Sequence, residues 1–387
     1  MKQVVRKKRA EANDVQIEKN IYTLLVDGNS LLKLSLVDKR MNNKGEEYGA
    51  IFLFLRILGN LLLKKDFNYC VVCYDGYNSG SLRYNIYKDY KANRDKHYEL
   101  AGGMTDYDKA INDYVKKVLN YSKANKKEVK RIETDDELFQ RQREILQNIL
   151  ENLYVRQFIY DDVEGDDLIA YYVKNKLPNE KVVIVSGDRD LTQLISDDVC
   201  QYIPSLKKFV TSDNSVDILG MTHENILVKK IICGDASDNI KGIKGMGEQT
   251  LLKLFPEMKT EKTSLEAIVA RSKELLSERK EQKKKPLKSL ENIINGVTDG
   301  AQGKDIYEIN KKIIDLSEPL LTEEALNGLK EEMYAPLSDD DRDIKNIYEI
   351  IEENERSDML DEKKFGSLFG MYERIIKSEK EYAKKCL

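Results

Sequence analysis

The sequence predicts an α/β fold. Two short apolar runs, Ile21–Asp27 (IYTLLVD) and Asn68–Asp75 (NYCVVCYD), are rich in β-formers, and each ends in an aspartate followed by glycine. Between them, Tyr48–Leu63 is apolar on nearly all sides and too long for a strand, so it reads as a buried helix. The stretch from Asp161 to Asp190 adds a helical run (LIAYYVKNK) and another strand-like run (VVIVS), with seven carboxylates in two tight groups around them.

Those carboxylates organise the chain. Asp161, Asp162, Glu164, Asp166 and Asp167 precede the helical run, and Asp188 and Asp190 follow the strand-like one. Acids brought this close repel one another unless some protonate or a cation neutralises them. Hard divalent cations with oxygen ligands meet that need; two solvated acidic loops are the competing reading. Asp27 and Asp75 end their strands where open α/β sheets place ligands. A single strand-final aspartate also serves as a turn or helix cap, but here the pattern repeats.

Between these landmarks, Leu82–Lys96 (LRYNIYKDYKANRDK) is basic and tyrosine-rich. On a helix, Tyr84, Tyr87 and Tyr90 would run along one side, drifting around it. Arg83, Lys88, Lys91 and Arg94 supply charge nearby. The segment suits either an amphipathic surface helix or a phosphate clamp with stacking tyrosines. His97–Asn152 is polar and interrupted by Gly102–Gly103, which predicts two helical segments around a connection, projecting from the core. Val199–Ile203 suits another strand. Thr222 is placed to cap a helix through Ile232. GDASDN then adds Asp235 and Asp238, and GIKGMGEQT sets Gly242, Lys244, Gly245 and Gly247 in a tight turn before a helix. Such a hairpin presents backbone N–H groups to a phosphate without reading a base. No strand immediately precedes it, which argues against a dinucleotide site. From Glu261 onward the chain reads as predominantly helical, with a basic Arg271–Lys288 and acidic runs after Asp339.

Composition sets the remaining bounds. The 387 residues suffice for two or three domains, and 34% are charged although the net charge is only −4. Five scattered cysteines form no disulfide framework, which points to a reducing, cytoplasmic setting. Cys70 and Cys73 make a C-x-x-C inside an apolar run, better suited to a buried strand than to zinc or redox chemistry. Only His97 and His223 are present, so a histidine metal site or base is nearly excluded. No apolar run approaches a membrane span, and the basic N-terminus lacks a signal-peptide core.

In order, LLVDGNS, VVCYDGY, YKDYKANRDK, DDVEGDDLIA, IVSGDRDLTQL and IICGDASDNIKGIKGMGEQTLLKL resemble the motifs of the flap endonuclease/5′-nuclease family, especially its phage-type 5′-exonuclease and ribonuclease-H-like members. They cover residues 21 to 256. The resemblance implies a mostly parallel α/β sheet (PIN/5′-nuclease-like), a helical arch, a helix-hairpin-helix and a C-terminal helical region. The implied division is a basic extension (1–20), a nuclease core (21–220, with the arch at about 83–152), the helix-hairpin-helix (221–256) and a helical tail (257–387). By the same resemblance Asp27, Asp75, Glu164 and Asp166, with Asp167 close by, surround a first Mg²⁺ or Mn²⁺. Asp188, Asp190, Asp235 and Asp238 serve a second. Two such ions can activate a water and clamp an in-line phosphodiester displacement, so no histidine base is required. Lys91 and Arg94 match the basic residues that contact the scissile phosphate.

Arg83, Tyr84, Tyr90, Gly242, Lys244, Gly245 and Gly247 are expected to touch DNA, with K⁺ as a further ion at the hairpin. The implied activity is 5′→3′ exonuclease and flap endonuclease cleavage of flaps, RNA primers or nicked duplex in replication, by a free-standing monomer in a bacterial or phage-infected cell. RNA–DNA hybrid and replication proteins are implied partners. A nuclease restricted to hybrids, and a non-catalytic DNA-junction binder, are the alternatives. Asp161 and Asp162 match no ligand position. The extension before Ile21 and the tail after Phe255 match no signature.

Overall fold

The computed structural model describes residues 20–92, 134–299, 305–339, 342–354 and 362–386. The expected arch therefore falls partly outside the described residues, as do Arg94, His97 and nearly all of the basic N-terminal extension. Six strands form one sheet: β1 (Ile21–Asp27), β2 (Tyr69–Cys73), β3 (Arg156–Phe158), β4 (Glu180–Val185), β5 (Val199–Ile203) and β6 (Lys208–Val210). The order is β3-β2-β1-β4-β5-β6, parallel except for β6, which runs antiparallel to β5. The register sets Leu24 between Cys70 and Val183, so β1 is a central strand.

Side chains alternate across the sheet, and helices cover both faces, which is why β1 and β2 are apolar almost throughout. Leu24, Val26, Cys70 and Val72 pack against α1 (Gly28–Ser35), α2 (Gly49–Leu62) and α4 (Asp135–Asn152). Leu25, Val71, Cys73 and Ile184 face the other way, towards α5 (Gly165–Asn175). Cys70 and Cys73 thus point to opposite layers, each fully buried, and burial raises both thiol pKa values. The C-x-x-C is a strand and nothing more. Helix α3 (Ser81–Ile86) follows β2. A Thr134 capping box with Glu137 starts α4.

After β6 come the short α6 (Ser215–Leu219) and a 3₁₀ turn at His223–Asn225. Thr222 precedes that turn without a side-chain cap bond, so the helix expected to start there begins later, at α7 (Ile226–Cys233). A two-stranded ribbon, β7 (Gly234–Asp235) and β8 (Ile240–Lys241), leads into the glycine turn and α8 (Glu248–Leu254). The α7–α8 pair shares a core with α9 (Leu265–Glu281) and α10 (Lys288–Asn295) through Ile232, Leu251, Phe255, Ile268 and Leu290.

The later helices return to the sheet. Next in order are α11 (Asp305–Ile314), α12 (Glu323–Glu332), α13 (Ile344–Glu353), α14 (Glu362–Phe369) and α15 (Glu373–Cys386). Leu329 of α12 joins the α5 layer, while Ile351, Phe369 and Ile375 join the α2 layer. Arg156 of β3 and Glu379 of α15 form a two-bond buried ion pair, at 2.7 and 2.6 Å. Removing one member strands the other charge in the core. Glu379→Ala is therefore expected to cost about 3–5 kcal/mol, read as a lowered urea midpoint. An unchanged midpoint would show that α15 does not contribute to the core.

Candidate active site at the carboxyl edge of the sheet

The carboxyl ends of β1, β2 and β4 converge on one edge. Asp27 caps α1: its Oδ1 accepts from Ser30 N at 2.9 Å and its Oδ2 from Ser186 Oγ at 2.7 Å. Asp75, just past β2, accepts from Gly165 N at 2.8 Å and from Asn29 Nδ2 at 2.5 Å. One strand end is thereby stitched to the start of α5, where Glu164, Asp166 and Asp167 sit. Asp188 follows β4, its backbone N–H donating to Ser186 Oγ at 2.9 Å, and its carboxylate accepts from Asp190 N at 2.8 Å.

The convergence alters how these acids ionise. Burial pushes the Asp27 pKa up to about 7, with the charges of Asp75 and Asp188 adding to the rise. Asp166 is raised well above the usual carboxylate range by burial and by Asp188, Asp27 and Asp75. Burial and Asp188 lift Asp190 to about 6 against the pull of Lys230. For Asp235 burial is outweighed by hydrogen bonds from Lys230 and Ser237, which bring it down to about 2.

Two basic side chains grip this edge from within. Lys91 is ion-paired to Glu164, and Tyr90 donates to the same carboxylate at 3.0 Å. Burial opposes ionisation of Glu164, yet Arg83 and Lys91 hold its pKa below the ordinary value. The Lys91 segment also docks on the loop that carries Asp238: Lys91 N donates to Asp238 O at 2.9 Å and Asn239 Nδ2 to Asp89 O at 2.7 Å.

Several side chains occupy places other than those expected of them. Arg83 is 6% exposed and faces inward, its guanidinium forked onto Asp167 at 2.5 and 3.1 Å and 2.7 Å from Glu164. It is not on a DNA-facing surface. Asp167, 1% exposed, spends its oxygens on Arg83 and on Leu320 N, at 2.9 Å, so it stands behind the cluster rather than in it. The expected tyrosine row does not form, because α3 ends at Ile86. Tyr84 is outside, with Lys88 4.4 Å from its ring centroid, and Tyr90 is buried. Asp161 and Asp162 hold the loop after β2: Asp161 accepts from Tyr77 N at 3.2 Å, and Asp162 from Asn78 Nδ2 and Ser81 Oγ, each at 2.7 Å.

In the hairpin, Gly242 is required by a close approach, since a Cβ there would lie 2.0 Å from Cys233 O. Gly245 has φ +77° and open space around it, and Gly247 is likewise unobstructed. Lys244 is exposed and ion-paired to Asp299 at 2.8 Å. Sequence reasoning passed over Asn29, Ser30, Ser186 and Lys230. The two serines carried a usable signal, each lying within three residues of a candidate aspartate.

Among the described residues no three of these acids close into a group that could hold a metal ion as they stand. The donor set nevertheless fits a hard cation that keeps part of its water: all-oxygen ligands, mutual repulsion, and a buried Asn29 Oδ1 without a hydrogen-bond partner beside Asp75.

A mostly parallel sheet with acids gathered at its carboxyl edge, followed by a helix-hairpin-helix, is the PIN-like 5′-nuclease architecture. Residues 22–221 match the family model for the 5′-3′ exonuclease N-terminal resolvase-like domain, and the chain belongs to that family. It is 27% identical over 266 residues to DNA polymerase I of Bacillus subtilis, an alignment covering 67% of this chain and 26% of the relative. A shorter match, 36% over 126 residues, is to DNA polymerase I of Synechocystis, covering 30% of this chain and 13% of that one. The chain thus spans about a quarter or less of the length of these curated relatives. Among solved structures, zinc-bound T5 5′-exonuclease superposes with a TM-score of 0.53 at 17% identity, covering 86% of this chain and 98% of that one. T5 D15 flap endonuclease, in a pseudo-enzyme-product complex with DNA and metal ions, gives 0.52 at 19% identity, covering 86% and 99%. Both likenesses concern the fold.

Proposed function

We propose that this protein is a divalent-metal-dependent 5′→3′ exonuclease and flap endonuclease acting on 5′ flaps, nicked duplex or RNA primers. The observation that carries the reading is the convergence of Asp27, Asp75, Glu164, Asp166 and Asp188 on one sheet edge, with pKa values of Asp27 and Asp166 raised by burial and by their neighbours' charge. A pure DNA binder gains nothing by packing acids where a phosphate must approach. Asp27, Asp75, Glu164 and Asp166 would hold one ion, and Asp188, Asp190, Asp235 and Asp238 a second; Mg²⁺ or Mn²⁺ suits the all-oxygen set. Such ions supply an activated water and charge stabilisation for phosphodiester displacement.

The chain's own residues do the rest. Ser30 and Ser186 fix the two oxygens of Asp27, and Gly165 N and Asn29 fix those of Asp75. Lys91, pinned beside Glu164, is within the site to meet the scissile phosphate, with Arg94 three residues on. The turn at Lys244–Gly247 suits the duplex backbone, with K⁺ as a further ligand there. The complex of T5 D15 flap endonuclease with DNA and metal ions supports flap DNA as substrate.

On a labelled 5′-flap duplex, Mg²⁺ is expected to give 5′-end cleavage that EDTA abolishes. A cation requires the ionised acids, so protonation of Asp27 and Asp190 competes with it. Their pKa values of about 7 and about 6 mean that the rate at limiting Mg²⁺ rises as pH climbs from 6 to 8. Cleavage undiminished in EDTA, or the absence of cleavage with flap binding intact, would overturn the proposal.

A further inference from the structure

The second acidic group already contains a cation of the protein's own. Lys230 projects from α7 between Asp190, in the turn after β4, and Asp235, in β7. Its Nζ donates to Asp235 Oδ2 at 2.6 Å and also to Asp190 Oδ2. The three side chains are largely enclosed, at 14%, 12% and 21% exposure for Lys230, Asp235 and Asp190. The adjacent Lys229 goes elsewhere, to Glu248 at 3.2 Å, so the placement of Lys230 is not a general feature of the helix.

An ammonium and a divalent ion cannot share the same two oxygens, since each is repelled by the other at contact distance. We propose that Lys230 is the resident counter-ion of this group. It holds Asp190 and Asp235 together while no divalent ion is present, and yields its place when an ion enters. A lysine suits this exchange, being a compact charge on a flexible stem that can satisfy two acids in one rotamer and an incoming anion in another. Lys230 is then a positioning residue with two consequences. It lowers the affinity of the second acidic group for a divalent ion in the absence of substrate. A substrate phosphate that receives the released ammonium raises that affinity again, because the coupling is reciprocal. The inference rests on the carboxylate edge being a divalent-ion site, as proposed above.

The test is a titration of the full chain with Mn²⁺ alone at pH 8, free Mn²⁺ being counted by its paramagnetic resonance signal. Wild type, K230M and K230R are compared. Removing the competing charge is expected to tighten the weaker Mn²⁺ site of K230M about tenfold, while K230R keeps the weak wild-type affinity. Stripped of metal, K230M is expected to melt below the wild type and to gain more from Mn²⁺. Should K230M fail to fold, K230Q takes its place in the same titration. A neutral variant whose isotherm superimposes on the wild type overturns the role of Lys230 and leaves the divalent site standing. An isotherm for K230R as tight as that of the neutral variant overturns it too. A wild type that binds no Mn²⁺ overturns both readings.

Discussion

Asp188→Asn is expected to slow 5′-flap cleavage by on the order of 10³-fold while leaving flap affinity in Ca²⁺ within a few-fold of wild type. Asp188 is the carboxylate through which the two acidic groups feel each other. After burial, its charge is among the causes that raise Asp27, Asp166 and Asp190. Neutralising it weakens any ion held on either side, and a loss of several kcal/mol of transition-state stabilisation is three decades in rate. Asparagine keeps the shape, and the backbone bond from Asp188 N to Ser186 Oγ is unaffected. DNA affinity resides mainly in backbone contacts elsewhere. Losing one repelling charge also lets the remaining acids ionise at lower pH, so residual activity should peak at lower pH than in wild type. Single-turnover cleavage across pH measures both effects. Normal turnover by Asp188→Asn would remove Asp188 from the site.

Arg83→Met should be the most destabilising substitution near the site, by about 3–5 kcal/mol. Its guanidinium is the shared partner of Asp167 and Glu164, and its Nε donates to Ile313 O at 2.9 Å. Methionine fills the volume but leaves two buried carboxylates facing each other, with Lys91 alone to offset Glu164. A melting-temperature fall on the order of 10 °C follows for a domain of this size. Arg83→Lys should recover little, because an ammonium cannot fork onto Asp167 and reach Glu164 together. A melting curve like the wild type's would mean that the ion-pair triad contributes nothing to stability.

The strand ends and the acids that follow them were legible in the sequence because both obey short-range rules. A strand-final aspartate and a helix-initial Glu-Gly-Asp-Asp are local patterns, and the edge that gathers them follows from the parallel order of β1, β2 and β4. What escaped depends on partners far along the chain. Arg83 sits among lysines and tyrosines and reads as surface, but acids 81 and 84 positions later take it inside; the longer of these gaps belongs to its Asp167 bond. Tyr90 turns inward because α3 stops at Ile86, and nothing in the segment's composition marks that stop. Lys230 and Asp190 are 40 residues apart, a pairing visible only once α7 lies against the β4 turn. The tail after Phe255 lacked motifs, and where it packs on the rest of the fold it does so through apolar contacts that many sequences can make.

That tail has a consequence for the making of the protein. The Tyr372 hydroxyl reaches back 317 positions to Leu55 O, and Glu379 pairs 223 positions back with Arg156. The layer built on α2 is therefore completed by helices that leave the ribosome long after it. Until α13, α14 and α15 emerge, a nascent chain displays an apolar helix covered on only part of its surface and an Arg156 without its counter-charge. Contacts this distant are slow to form. The carboxylate edge is thus assembled from early segments, while the layer behind it is completed only once the Glu373–Cys386 helix has been synthesised.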